Sequence, residues 1–221
     1  MHILKTSFHG NPNVGLYGIC TPKYVILGHE VPSESDKDLA EIFGREVRRI
    51  NAAGTPFVGV FLAGNSHGLI APDILFEHEI EALKKLCSLT LLHTRHTCLG
   101  NNILVNDRIA YIHHEFSDDE EATISKALGV PTKRVVLHEI ETPGSLAALN
   151  DKGMIVHFEV SAEDLAMMQE DFGVPAEHGS VNLGSPYVKG GILCNENGVL
   201  VGDQTGGPEL MHIDRVLGFT Q

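Results

Sequence analysis

A glycine, a short apolar run, an asparagine and a second apolar run recur along this chain, so it must pack one small unit several times over. Four copies read GVFLAGNSHGLIAP from Gly59, GNNILVNDRIAYI from Gly100, GSLAALNDKGMIVH from Gly144 and KGGILCNENGVLVG from Lys189. A degenerate fifth, GLYGICTPKYVILG, starts at Gly15. The turn residues are Thr21, Asn65, Asn106, Asn150 and Asn195, spaced by 44, 41, 44 and 45.

Each copy has the same internal order. The asparagine is followed by polar residues and often by glycine (Gly68, Gly153, Gly198), and both types tolerate positive φ, so a tight turn and a β-hairpin are expected. An acidic segment follows, then apolar residues at helical spacing: Ile80, Leu83 and Leu86; Leu165, Met168 and Phe172; Leu210, Ile213 and Leu217. Ser33, Ser117 and Ser161 stand where helix caps belong, each with an acidic residue three positions on. Gly44, Gly129, Gly173 and Gly218 are placed to end helices. A third extended segment comes next, as at Leu89–Thr94 or Arg134–Glu139, which makes the unit β-β-α-β.

The fifth unit has only Phe219, Thr220 and Gln221 after its helix, while His2–Phe8 is an extended segment with no helix of its own. An N-terminal strand that completes the last unit would close the ring and leave no terminal repeat exposed. The expected fold is therefore a closed five-fold pseudosymmetric α/β propeller, one domain spanning 1–221. Its units are 9–51, 52–94, 95–139, 140–182 and 183–221 together with 2–8. An open five-unit array is the alternative.

Of the 221 residues, 43% are hydrophobic and 20% charged, enough to bury a core. The start, MHILKTSFHG, lacks a basic-then-apolar layout, so no secretory signal is expected. The longest uncharged stretch, Ile50–Pro72, is broken by Pro56 and by the turn at Asn65–Gly68, a poor membrane helix. Cys20, Cys87, Cys98 and Cys194 form no CxxC pair, which suits reduced thiols in the cytoplasm. Net charge is −13, of which residues 1–100 carry −1 and residues 101–221 carry −12. So acidic a surface disfavours DNA or other bulk nucleic-acid binding and suits a basic protein partner; solubility alone is an equal account of the acid.

The segment Asn65-Ser66-His67-Gly68-Leu69-Ile70-Ala71-Pro72 resembles the N-x-H-G-L-hydrophobic-x-P stretch of the archaeal and eukaryotic translation initiation factor 6 family. Leu99-Gly100-Asn101 with Asn106-Asp107 is similar to that family's L-G-N…N-D stretch, and Gly207-Pro208-Glu209-Leu210 to the tail of its archaeal branch. The resemblance covers essentially the whole chain. It implies the pentein fold, the same five-fold propeller that the repeats give independently. It also implies binding to the large ribosomal subunit, chiefly to ribosomal protein L14 near the sarcin–ricin loop, where occlusion blocks the small subunit. A role in large-subunit biogenesis is a further implication. No cofactor, no metal, no catalytic residue and no membrane are implied, and a monomer is expected.

Gly15, Gly59, Gly100 and Gly144 hold equivalent places in their units, where Lys189 is the exception. They are read as points of close backbone approach and, because hairpin ends on one rim would face a partner, as candidate ribosome-binding residues. Asn101 joins them. Its counterparts Leu16, Val60, Ser145 and Gly190 are not amides, and its own unit already has a turn asparagine. Capping of a local backbone group is the competing role for it. His67, between turn residues, is expected to be solvated or turn-bonded. The pairs His93/His96 and His113/His114 invite zinc, yet no cysteine or acidic pair stands at convincing ligand spacing, so no metal is expected. Pentein enzymes use a cysteine nucleophile, and Cys194 with His157 and His178 supplies such residues here. Its place just before a turn residue, matched by Cys20, instead marks a packing position in a repeat strand. The loop Gly202–Gly207 lacks the Gly-Lys-Ser/Thr ending of a phosphate-binding loop and is expected to feed the fifth helix.

Overall fold

The computed structural model describes residues 2–31 and 36–220, so the cap expected at Ser33 lies outside the described residues. After β1 (Ile3–Thr6) and a 3-10 turn at Val14–Tyr17, the first unit contains β2 (Gly18–Cys20), β3 (Val25–Leu27), α1 (Asp36–Phe43) and β4 (Val47–Arg49). The second contains α2 (Val58–Phe61), β5 (Ala63–Gly64), β6 (Leu69–Pro72), α3 (Glu77–Leu86) and β7 (Leu89–Leu92). The third has α4 (Leu99–Asn102), β8 (Ile103–Val105), β9 (Ala110–His113), α5 (Asp118–Leu128) and β10 (Thr132–Val135). The fourth has α6 (Pro143–Leu146), β11 (Ala147–Leu149), β12 (Met154–His157), α7 (Ala162–Phe172) and β13 (Ala176–Gly179). The fifth has α8 (Val188–Gly191), β14 (Ile192–Cys194), β15 (Val199–Gly202) and α9 (Gly207–Val216).

In every unit the first two strands pair antiparallel, and in the first four the strand after the helix pairs parallel to the second. The fifth sheet takes its parallel strand from the other end of the chain: β1 lies against β15 with Ile3 opposite Val199 through Thr6 opposite Gly202. This closes the five-fold propeller, as the repeats led one to expect. Its hydrophobic core lies in five clusters, each drawn from two neighbouring units. Leu193 and Leu200 of the fifth unit, for example, pack with Val14, Leu39 and Phe43 of the first. Burial of this kind, at roughly 25 cal/mol per Å² of apolar surface, stabilises each unit mainly through its neighbour.

Local structure departs from the sequence expectation in three places. The glycines do not open the hairpins; they sit inside one-turn helices just before the first strand. The third strand of the third unit is Thr132–Val135 rather than Arg134–Glu139, because the chain turns back at His138 and Glu139 with φ of 49° and 61°. Among the described residues the turn asparagines and the glycines after them have no positive φ. Left-handed residues lie instead in the loops that enter the units: His9 and Gly10, Ala53 and Gly54, His138 and Glu139, and Asn182 to Gly184.

Two carboxylates, the buried Glu79 and the half-buried Glu209, hold two of those strained turns. Glu79 of α3 accepts the N–H groups of Ala53 (3.0 Å) and Gly54 (2.9 Å) as well as that of Phe76 at the start of its own helix (2.9 Å). Glu209 of α9 accepts those of Leu183 (3.2 Å), Gly184 (2.9 Å) and Gly206 (2.7 Å). Ser117 and Ser161 cap α5 and α7 as expected, accepting the N–H groups of Glu120 and Asp164. Gly44, Gly129, Gly173 and Gly218 follow their helices with φ of 60° to 70°.

Candidate interaction surface

The one-turn helices form the innermost ring of the molecule, and their glycines explain its diameter. A Cβ on Gly59 would lie 2.1 Å from the carbonyl oxygen of Gly15, and one on Gly100 would lie 2.1 Å from that of Gly59. One on Gly144 would lie 2.3 Å from that of Gly100, and one on Gly15 would lie 2.0 Å from that of Lys189. Backbone therefore touches backbone at four of the five junctions, the close approach that glycine permits. All four glycines are buried. What the same turns leave partly open to solvent are the next residues, Leu16, Val60, Asn101, Ser145 and Gly190.

Asn101 is the polar one with the most to offer. Its side-chain amide makes no hydrogen bond among the described residues, while its neighbour Asn102 donates to the carbonyl of His96 at 3.5 Å. Local capping therefore does not account for Asn101. A free amide has two donors and an acceptor available to a partner.

The opposite rim is built by the turn asparagines. Each Oδ1 accepts N–H groups two and three residues on; for Asn65 these are His67 (3.0 Å) and Gly68 (3.2 Å). Each Nδ2 crosses to the next unit. Asn65 donates to the carbonyls of Asn106 (3.0 Å) and Leu128 (2.9 Å), and Asn106 to that of Phe172 (2.9 Å). Asn150 reaches Asn195 (3.2 Å) and Leu217 (3.0 Å), and Asn195 reaches Phe43 (2.8 Å), joining the last unit to the first. Thr21 holds its own turn but is too short to cross; the Tyr24 hydroxyl does so instead, 3.3 Å from the carbonyl of Asn65. The glycines after the asparagines exist for this junction, since a Cβ on Gly153 would lie 1.8 Å from the Val216 carbonyl. Sequence reasoning found the turns but not these crossings, whose partners lie 41 to 152 residues away.

A central well runs between the rims. Near the turns it is about 320 Å³ in volume, with Asp107, Arg108, Asp151 and Glu196 at its edge. At the glycine end it narrows to about 70 Å³, lined by Cys20, Cys194 and Lys189. Lys189 thus stands in the glycine position and lines the well, where burial lowers the proton affinity of its amine.

The cysteine does not meet a catalytic partner. Cys194 Sγ donates to the Leu149 carbonyl at 3.3 Å, and burial pushes its thiol up to about 12. His178 Nε2 donates to the Val160 carbonyl at 2.8 Å, and His157 Nδ1 accepts the N–H of Glu159 at 3.2 Å. His67 is exposed and lies against Gly129. His93 pairs with Asp73 at 2.5 Å, away from His96, whose ring instead lies beside that of His113. The loop Gly202–Gly207 feeds α9 as expected, and the carboxylate of Glu209 occupies the helix start where a phosphate would sit.

Large apolar side chains stand exposed in the fourth and fifth units: Phe158, Leu183, Tyr187 and Met211. No helix among the described residues is long and apolar enough to cross a membrane.

The eIF-6 family model matches residues 3–216. Translation initiation factor 6 of Saccharolobus solfataricus is 36% identical over 222 residues, covering 99% of this chain and 100% of that protein. That of Pyrococcus horikoshii is 33% identical over 226 residues, covering 99% and 100%. Among solved structures, a dimethylarginine dimethylaminohydrolase variant in adduct with S-methyl-L-thiocitrulline aligns with a TM-score of 0.50 and 14% identity, over 75% of this chain and 68% of that one. At that identity only the pentein fold is shared.

Proposed function

This chain belongs to the eIF-6 family, and from that premise we propose that it binds the large ribosomal subunit and blocks its joining to the small subunit by occlusion. The observation that carries the proposal is Asn101, a half-buried amide with no hydrogen-bond partner among the described residues, set in the Leu99-Gly100-Asn101 segment that resembles the family's L-G-N stretch. The glycine-helix rim around it is the face turned to the ribosome, and Gly15, Gly59, Gly100 and Gly144 act there by fixing the backbone rather than by touching the partner. The partner is a basic ribosomal protein, L14 beside the sarcin–ricin loop, which suits a chain of net charge −13. Exposed Leu183, Tyr187 and Met211 supply apolar anchors of the kind that dominate binding energy.

The protein works in the cytoplasm as a monomer, its five units acting as one rigid domain with no chemical step of its own. A preformed face avoids the ordering cost of a flexible one. The same occupancy would serve during large-subunit maturation. Sedimentation of the purified protein with isolated large subunits tests the proposal. Co-migration is expected, and Asn101→Ala should weaken it about fivefold or more, as for a hydrogen bond worth about 1 kcal/mol. Protein left at the top of the gradient at low salt would overturn it.

A further inference from the structure

Three segments distant in sequence bring imidazoles and carboxylates to the seam between the third and fourth units. His96 comes from the loop entering α4, His113 ends β9 with His114 and Glu115 just beyond it, and Glu141 comes from the loop entering α6. The rings of His113 and His114 stack with centroids 4.8 Å apart, and the His96 ring lies 4.6 Å from that of His113. His113 Nε2 is 3.8 Å from one oxygen of Glu141, and His114 Nε2 is 3.9 Å from the other. On the far side of His113, His96 Nε2 is 3.7 Å from Glu115 Oε2. One donor atom each from His113, His114 and Glu141 lie within 4.8 Å of one another, and the same holds for His96, His113 and Glu115. The side chains of His113 and His96 are only 7% and 15% exposed, against 57% and 46% for Glu141 and Glu115, so imidazoles form the floor and carboxylates the open side.

The turn does not require this cluster. His113 Nδ1 accepts the N–H of Glu115 at 3.1 Å, and His157 makes the same bond to Glu159 at 3.2 Å in the next unit, where its ring packs on Phe158 and Tyr187 instead. The turn explains one histidine and leaves the others. His114 Nδ1 is buried with no hydrogen-bond partner among the described residues, so the turn does not hold this ring either.

We propose that this seam binds a divalent transition-metal ion of the zinc class, with His113, His114 and Glu141 as ligands. Nitrogen and oxygen donors without a thiolate suit Zn²⁺, Ni²⁺ or Cu²⁺ and not Mg²⁺ or Ca²⁺. Tetrahedral zinc with bonds of about 2.0–2.1 Å places its donors about 3.4 Å apart. The pairs at 3.8 and 3.9 Å therefore need to close by about half an ångström, and the exposed Glu141 carboxylate is free to supply that. Coordination through His113 Nε2 moves its proton to Nδ1 and releases the N–H of Glu115, and the His114 ring turns out of its stack on His113 so that both in-plane lone pairs meet one ion. Once bound, it would staple the end of β9 to the loop entering α6, across the seam between the third and fourth units.

The test is titration of the untagged, chelator-treated full chain with Co²⁺, followed by its visible d–d absorption, then displacement by Zn²⁺ and thermal melts with and without Zn²⁺. One Co²⁺ per chain is expected, displaced by Zn²⁺, with a higher melting temperature in the zinc form. Glu141→Gln and His114→Ala, both at solvent-accessible side chains, should each weaken binding at least about tenfold and abolish the thermal shift. His93→Ala, outside the cluster, should leave both unchanged. Absence of saturable Co²⁺ absorption, its survival in both cluster variants, or its loss in His93→Ala would overturn the site.

Discussion

Asn195 shows how much structure a single amide can hold. Its Oδ1 accepts the N–H groups of Asn197 (3.0 Å) and Gly198 (3.2 Å), while its Nδ2 donates to Phe43 across the seam that joins the ends of the chain. Asn195→Ala orphans these groups at a buried site and should cost about 3 kcal/mol, lowering the melting temperature by about 6–12 °C. Asn195→Asp keeps the acceptor but turns a carboxylate oxygen toward the Phe43 carbonyl, so it should melt no higher than the alanine variant. Wild-type melting by the aspartate variant would refute the crossing bond. The turn role was legible from residue type, whereas the crossing was not, because Phe43 lies 152 residues away. Asp171 makes a comparable clamp between the third and fourth units. The hydroxyl of Tyr111 (2.5 Å) and then the ammonium of Lys133 (2.9 Å) hold its carboxyl below the usual range. A depressed pKa contributes stability that is present above the unfolded value of about 3.9 and lost as pH falls through the folded one. Denaturation between about pH 5 and pH 2 should therefore show a shallower acid loss in Asp171→Asn than in the wild type; identical slopes would remove Asp171 from the account.

Among the elements, β1 carries the closure. Among the described residues it is the only parallel partner of β15, and it comes from the opposite terminus. Deleting residues 1–7 should leave β15 as an open edge, with fast amide exchange from Val199 to Gly202 while β9 and β12 stay protected. Uniform protection in the truncated chain would mean the fifth unit does not depend on β1. The β-β-α-β order was readable because caps, acidic first turns and closing glycines each have a local cause. The one-turn helices were not, since four residues such as VGLY or VGVF look the same as the start of a strand. Their reason is the ring itself, where Gly59 meets Gly15 and Gly100 meets Gly59. The strained entry turns were equally hidden, because Ala53 and Leu183 are not residues that announce positive φ, and the stabilising Glu79 and Glu209 lie 26 residues further on.

For the whole molecule, periodicity sufficed to give the ring because a repeat fixes its own neighbours. The partner-facing residues were harder to find, since the candidate glycines turn inward and only Asn101 among the candidates offers a free polar group. The zinc-class cluster was half visible: His96, His113 and His114 could be seen in sequence, but Glu141 joins them only through the seam between units. Net charge of −13, gathered in the later half of the chain, should steer encounter with a basic partner. Association with large subunits should accordingly slow as salt rises through the range where the Debye length falls below about 10 Å, with dissociation much less affected. On-rates indifferent to salt would exclude steering. The most direct test of occlusion is to saturate isolated large subunits with the protein, add small subunits and resolve the mixture on a sucrose gradient. The account predicts that the joined-ribosome peak falls as occupancy rises, and that Asn101→Ala needs about fivefold more protein for the same fall. A joined peak at full height while the protein still co-migrates with large subunits would contradict it.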